Sequence, residues 1–412
     1  MPRFAMADQR TLLITGATGF LGSHLALAFL GCGYRLKILA RSRGAGSELR
    51  LKRILDAIQP TPLLSDLLSG QLELVQGDVA ARHLGLSART VLRLAAEVTD
   101  VVHCAAMVSF DPTKAGELQA VNVEGTRNVL EFARMMKSVV LHYVSTAFVV
   151  GRRTGLIRES DLDRPAEFNN TYEESKFLAE VEVRKAAAEG LPTVIYRPGI
   201  LVGDSQTGQT QSFFGFYTFL RALVLVANQA RRLLRQGSTD PLVKWLDTEQ
   251  KRIYVPLRAV GSETKTLNVV PVDYVVQVAL AIFQRTESLG QTFHIVHHRP
   301  PTLGQLRDWI CSTLGMKGGR FVSRAEFQKS PMNRWERLFH LGSKEYAAYL
   351  QGEEPIFSTE NTTRVIQAKR IPIPPPIDEH FIRLLTMYCL KSRWGKRLFH
   401  EPIPVPVGET AR

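Results

Sequence analysis

The chain has 412 residues, 45% hydrophobic and 22% charged, a balance that excludes a disordered or fibrous polymer and leaves room for a large core. A net charge of +13 suits nucleic acid, an anionic lipid surface or an anionic ligand without choosing among them. The sequence has no zinc-finger spacing, RNP-like aromatic pattern or basic low-complexity arm, so nucleic acid is not an expected partner. Cys32, Cys104, Cys311 and Cys389 form neither a C-x-x-C pair nor a zinc-ligand set, which points to a reduced chain without metal. No apolar leader precedes the first strand-like run at Thr11, and a cytoplasmic location is expected.

In chain order, short apolar runs at 11–15, 35–40, 71–76, 100–104, 139–144 and 193–197 read as strands. Segments 20–31, 114–136 and 172–188 carry apolar residues at three- and four-residue intervals and read as helices. The alternation predicts an α/β fold, a Rossmann-type doubly wound parallel sheet with a smaller, mainly helical substrate-binding and C-terminal region. The expected division is a nucleotide-binding core over 1–205, an apolar and basic insert over 206–265, a return to the core over 266–300, and a C-terminal helical cover over 301–412. Within the return, Leu267–Val270 and Thr292–Val296 read as strands and Asp273–Gln284 as a helix. The proline-rich 371–377 is expected to strap a basic C-terminal helix to the body.

The run Thr11–Thr15 passes into Gly16-Ala-Thr-Gly19-Phe-Leu-Gly22 and then a helix pattern. In that order the first glycine permits a tight turn, the second admits a pyrophosphate and the third lets helix pack on strand. Phosphate would sit at the helix N-terminus, where free amides and the dipole favour an anion. Gly16, Thr18, Gly19, Phe20, Leu21 and Gly22 are thus expected at the cofactor. Arg41 and Arg43 follow the second strand where an NAD site typically has an acidic residue; their guanidinium forks suit a 2′-phosphate, so NADP (as NADPH) is expected ahead of NAD.

Tyr172-Glu-Glu-Ser-Lys176 sets a phenol and an ammonium on one helix face. A free tyrosine has a pKa of about 10, and a neighbouring cation makes it a more useful acid or base nearer neutrality. Hydride transfer to a carbonyl leaves charge on oxygen, which needs a proton or a donor as it forms. Ser145 and Thr146, where the fifth strand runs out, are two candidate donors.

With Gly77-Asp78-Val79, Val101-Val-His-Cys-Ala-Ala106, Asn122-Val-Glu-Gly-Thr126 and Arg197-Pro-Gly199 added, the chain resembles an extended short-chain dehydrogenase/reductase over residues 11 to about 300. The resemblance implies that Tyr172 is the acid/base, Lys176 binds the nicotinamide ribose, and Thr146 orients the substrate carbonyl. It further implies that Asp78 and Val79 meet adenine, Ala105 and Ala106 flank the cofactor, and Arg197, Pro198 and Gly199 lie near the nicotinamide. Asn122 either supports a proton relay or pins its helix to the sheet. Val108-Ser-Phe110, Val144-Ser-Thr-Ala-Phe-Val149, Arg197-Pro-Gly-Ile-Leu-Val-Gly-Asp-Ser205 and Asn268-Val-Val-Pro-Val-Asp-Tyr274 are similar to the male-sterility type, which includes fatty acyl-CoA reductases and thioester reductase domains.

The run Phe213–Val226 contains Arg221 and is too short to span a bilayer. It suits an apolar cover over a substrate cleft; with Arg231, Arg232 and Arg235 it also suits peripheral membrane contact. His103 and Cys104 are adjacent on a strand and point to opposite faces, and His297-His298 lacks partners for a metal. The leading reading is therefore an NADPH-dependent reductase of a lipid-like acyl thioester or ketone, with a homodimer left open. Sugar-nucleotide epimerases or dehydratases and hydroxysteroid dehydrogenases share most of the framework, and a cofactor-binding regulatory protein without chemistry is a third reading.

Overall fold

A computed structural model describes residues 10–41, 47–58 and 70–396. These fall into two compact units. One is drawn from the chain up to Gly199, Val272–Val296 and Ile356–Ile373; the other from Ile200–Pro271, His297–Pro355 and the chain from Pro374.

The first unit is built on β1 (Thr11–Thr15), β2 (Arg35–Ala40), β3 (Leu72–Gln76), β4 (Asp100–His103), β5 (Val140–Val144), β6 (Thr193–Pro198) and β7 (Thr292–Ile295). They form one sheet in the order β7-β6-β5-β4-β1-β2-β3, every pair parallel. Parallel strands are covered on both faces, so the central ones read as nearly unbroken apolar runs; all five residues of β1 are buried. The strand order reverses between β1 and β4, the switch point where a sheet of this kind binds its ligand.

Side chains alternate across the pleat. Leu13, Val101, Leu141 and Ile195 share a core with residues of α2 (Ala88–Glu97), α3 (Gly125–Arg134) and α4 (Thr171–Ala188). On the other face, α1 (Phe20–Gly31) and α5 (Val272–Phe283) line one small apolar void with Val102, His142 and Tyr196. The Phe29 and Phe283 rings meet there at 4.7 Å.

The structure adds detail to three expectations. The helix expected over 114–136 is present but not uniformly α: after a 3-10 turn (Pro112–Lys114), an α turn (Ala115–Leu118) runs through a π turn (Gln119–Glu124) into α3. The π turn carries Asn122, whose amide is taken up by the backbone of Met107 and the Ser175 hydroxyl. Val269–Pro271 does not extend the large sheet but pairs with Ile200–Val202 in a separate ribbon. Within the C-terminal stretch, Ile356–Ile373 belongs to the first unit, where Ile356–Phe357 pairs with Leu156–Ile157.

The second unit pairs Arg252–Val260 with Met316–Val322 in parallel and with Lys244–Asp247 antiparallel. Its long helix, Phe216–Arg235, buries most of the apolar run within this unit. Arg231 donates to the carbonyls of Lys251 and Leu314. Among the described residues, no helix is long and apolar enough to cross a membrane.

Candidate active site

The glycine turn closes the switch point. Gly16 has a φ of +78°, and a Cβ there would lie 2.6 Å from the Ala105 amide nitrogen, so only glycine lets the turn after β1 press on the loop after β4. A Cβ on Gly22 would lie 2.2 Å from the Gly16 carbonyl oxygen, which explains the close seat of α1 on the turn. Gly19 is exposed, caps α1 without a side-chain bond, and no acidic residue stands in the first turn. This cradle fits an anionic dinucleotide: free helix amides are present, and a side chain would crowd the approach.

Thr18 and Phe20 are half-buried, Leu21 is buried, and the Phe20 ring meets His24 edge-on at 5.3 Å. Arg41 is exposed at the end of β2, whereas Arg43 lies outside the described residues. After β3, Gly77 N–H donates to Ala40 O at 3.0 Å, Asp78 Oδ1 accepts from Ala80 N–H at 3.0 Å, and Asn128 Nδ2 donates to Val79 O at 2.8 Å. The loop holding Asp78 and Val79 is thereby tied to β2 and α3.

Asn170 caps α4 by accepting from Glu173 N–H at 2.9 Å, which fixes the turn that presents Tyr172. The phenol ring lies 6.1 Å from the Phe110 ring. Burial foremost, then Cys104 and Glu173, raises its pKa, so the neutral phenol is a proton donor. One turn on, Lys176 is buried. Its Nζ donates at 2.8 Å to Tyr143 Oη and at 2.8 Å to Val144 O, at the carboxyl end of β5. Burial pushes this lysine down to about 8, partly offset by Cys104 and Glu180.

The two hydroxyls after β5 have different surroundings. Ser145 donates to Glu180 Oε2 at 2.6 Å, and Glu180 is gripped by Arg197 at 3.0 and 2.7 Å. Thr146 accepts from Phe148 N–H at 3.3 Å and, among the described residues, gives its own proton to no acceptor. Arg197 is fully buried, and beyond Glu180 its guanidinium meets Asp161 O at 2.7 Å and His294 at 3.2 Å. It therefore holds β6 to α4, and only the backbone of Pro198 and Gly199 remains at the strand end; Gly199 N–H donates to Ile295 O at 3.1 Å. Ala105 donates its N–H to Thr15 Oγ1 at 3.2 Å, and Ala106 follows half-buried.

The family model described as male sterility protein matches residues 14–279. The chain belongs to that family. It is a branch of the extended short-chain dehydrogenase/reductases, a family of NAD(P)-dependent oxidoreductases. A linear gramicidin synthase of Brevibacillus parabrevis is 36% identical over 204 residues, covering 48% of this chain and 4% of that protein. Aldehyde reductase lnaA of Aspergillus flavus is 29% identical over 296 residues, covering 69% of this chain and 25% of that protein. The chain thus spans a quarter or less of these two relatives. A solved terminal R domain from the myxalamid PKS-NRPS biosynthetic pathway has the same fold, with a TM-score of 0.76 at 24% identity over 94% of this chain and 92% of that one.

For this male sterility family protein, sequence reasoning passed over Tyr143 and Glu180, the residues that bond Lys176 and Ser145. Their roles depend on strand register and helix contact, and the available signal was a tyrosine on the inward face of β5 two positions before Ser145. His297 and His298 stack at 5.0 Å, with His297 bonded to Pro375 O at 3.0 Å. Among the described residues no three His, Cys, Asp or Glu side chains converge as a metal site, and all four cysteines are free thiols.

Proposed function

We propose that this protein is an NADPH-dependent reductase of a lipid-like acyl thioester. The observation that supports it most is an anchored buried ammonium, Lys176, gripping the Val144 carbonyl two residues before Thr146, a hydroxyl that among the described residues gives its proton to no acceptor. When bound, the dinucleotide supplies hydride to a carbonyl carbon. Thr146 donates to the oxygen where charge develops, Tyr172 delivers the proton, and Lys176 steadies the phenolate left behind. Departure of the thiol then leaves an aldehyde, and a second reduction gives an alcohol. Similarity to a protein named as an aldehyde reductase supports carbonyl chemistry. The exposed Arg41 at the end of β2 supports the 2′-phosphate form of the cofactor.

The test is oxidation of NADPH and of NADH with long acyl-CoAs, ketones and nucleotide sugars. Turnover is expected with acyl-CoA and NADPH, and activity confined to nucleotide sugars sinks the reading.

A further inference from the structure

The sheet register lines up three polar side chains. Thr15 of β1 pairs with His103 of β4, and His103 with Tyr143 of β5. Their side chains therefore leave the same face at one level, the layer beneath the carboxyl-end crevice. All three are buried, as is Thr126 of α3 above them, and buried polar groups are costly unless bonded.

The proton directions are forced. The Thr126 hydroxyl donates to Asn122 O at 2.6 Å, so towards His103 Nε2, 3.1 Å away, it accepts. Burial foremost, with Lys176 adding to it, lowers the His103 pKa to about 3, and the ring is neutral. Its Nδ1 then accepts from Thr15 Oγ1 at 2.7 Å. Tyr143 Oη accepts from Lys176 Nζ at 2.8 Å, and that Nζ lies 4.3 Å from the Tyr143 ring centre. An ammonium has three donors; Tyr143 and Val144 take two.

We propose that Tyr143 is a positioning residue for Lys176: its phenol, together with Val144 O, anchors the ammonium so that the third donor serves Tyr172 and the cofactor. The proposal rests on the reductase reading above.

Few other groups hold that charge. On α4 itself stand Tyr172 and Glu180, the latter already paired with Arg197 and Arg184, while Glu173 is turned to Asn169. From β4 comes neutral His103 and from the residue after it Cys104, whose thiol burial pushes up to about 11. From the segment before and along α3, Glu124 is paired with Arg127 and Arg134 with Glu189, all exposed or half-exposed. Residues 147–150 are apolar.

The test is the titration of Lys176 in the cofactor-free protein, followed by NMR of lysines carrying ¹³C at Cε and assigned with Lys176→Met. Tyr143→Phe keeps the ring and loses the acceptor. A hydrogen bond to a charged group corresponds to about one to two pH units, so the midpoint should fall by about that much from the wild-type value near 8. Tyr143→Leu, which also removes the ring face, should lower it further. The alkaline limb of kcat/KM should move to lower pH by the same amount, with the rate recovering on the acid side. A purely structural role predicts a uniform loss at all pH and an unmoved lysine. An unchanged midpoint in either folded variant overturns the proposal. Wild-type protein inert towards acyl thioesters would defeat the reductase reading, while the lysine titration still decides this one.

Discussion

Ser145 and Thr146 are neighbours with the same functional group, yet their protons have different fates. Ser145 spends its proton on Glu180, inside the cluster that binds Arg197, whereas Thr146 gives its proton to no acceptor among the described residues and, on the proposed reading, offers it to the substrate oxygen. Thr146→Val should therefore lower kcat on acyl-CoA by about 10²- to 10³-fold, the usual effect of losing one oxyanion donor, with little change in thermal midpoint. Ser145→Ala should do the reverse: a loss of about 1–3 kcal/mol from a carboxylate left short of a donor, with kcat within about tenfold of wild type. Steady-state kinetics and thermal unfolding on the same preparations decide it, and equal kinetic damage from both would refute the division. The sequence motif contained both hydroxyls. What separates them, a glutamate 35 residues downstream in contact with one alone, is a property of how α4 lies on β5.

At the scale of elements, α1 offers its own control. Gly22 and Gly31 lie in one helix, but a Cβ at Gly22 collides with the Gly16 carbonyl, while at Gly31 it meets nothing within 4 Å. Gly22→Ala is expected to push α1 off the turn and, on the proposed reading in which the helix start seats the phosphate, to weaken NADPH binding at least tenfold. Gly31→Ala should leave binding alone and gain about 0.5–1 kcal/mol, the usual advantage of alanine in a helix. Cofactor fluorescence titration and thermal unfolding separate the two, and similar binding by both variants would show that the turn is not the phosphate seat. The glycines and the large-sheet strands were legible because parallel strands are apolar on both faces and their turns need backbone freedom. The strand Met316–Val322 was not legible: its Lys317-Gly-Gly-Arg320 centre has poor intrinsic strand preference, and pairing along Arg252–Val260 imposes the conformation. Gly318, with a φ of +103° and only 2.4 Å between a would-be Cβ and Val255 O, marks where the two backbones crowd. The π turn at Gln119–Glu124 escaped for a similar reason, because apolar spacing cannot reveal one extra residue in a helical turn.

On the scale of the whole chain, the nucleotide-binding unit recruits a distant segment. Sequence periodicity ends the sheet near residue 300, yet Ile356–Ile373 completes that unit. Glu159, buried, accepts from His294 N–H at 3.0 Å and Asn361 N–H at 2.6 Å; the Thr362 hydroxyl lies 3.0 Å from Glu159 Oε1 and 2.9 Å from His294 O. Next to them, Ser358 O meets His294 Nδ1 at 2.7 Å. These bonds join the late segment to β7, whose neighbour β6 ends in Pro198. Thr362→Val keeps the volume and removes the hydroxyl, so it should cost about 1–3 kcal/mol through an under-bonded buried carboxylate. A ligand that binds only the folded unit raises that unit's unfolding midpoint by mass action, so on the proposed reading NADPH labels the transition to watch. The Thr362→Val loss should appear in the NADPH-shifted transition. If the substitution instead left that transition in place and moved one that NADPH does not affect, Thr362 would belong to a separate C-terminal cover, as periodicity alone suggests, and the recruited segment would have no part in holding the nucleotide-binding unit together.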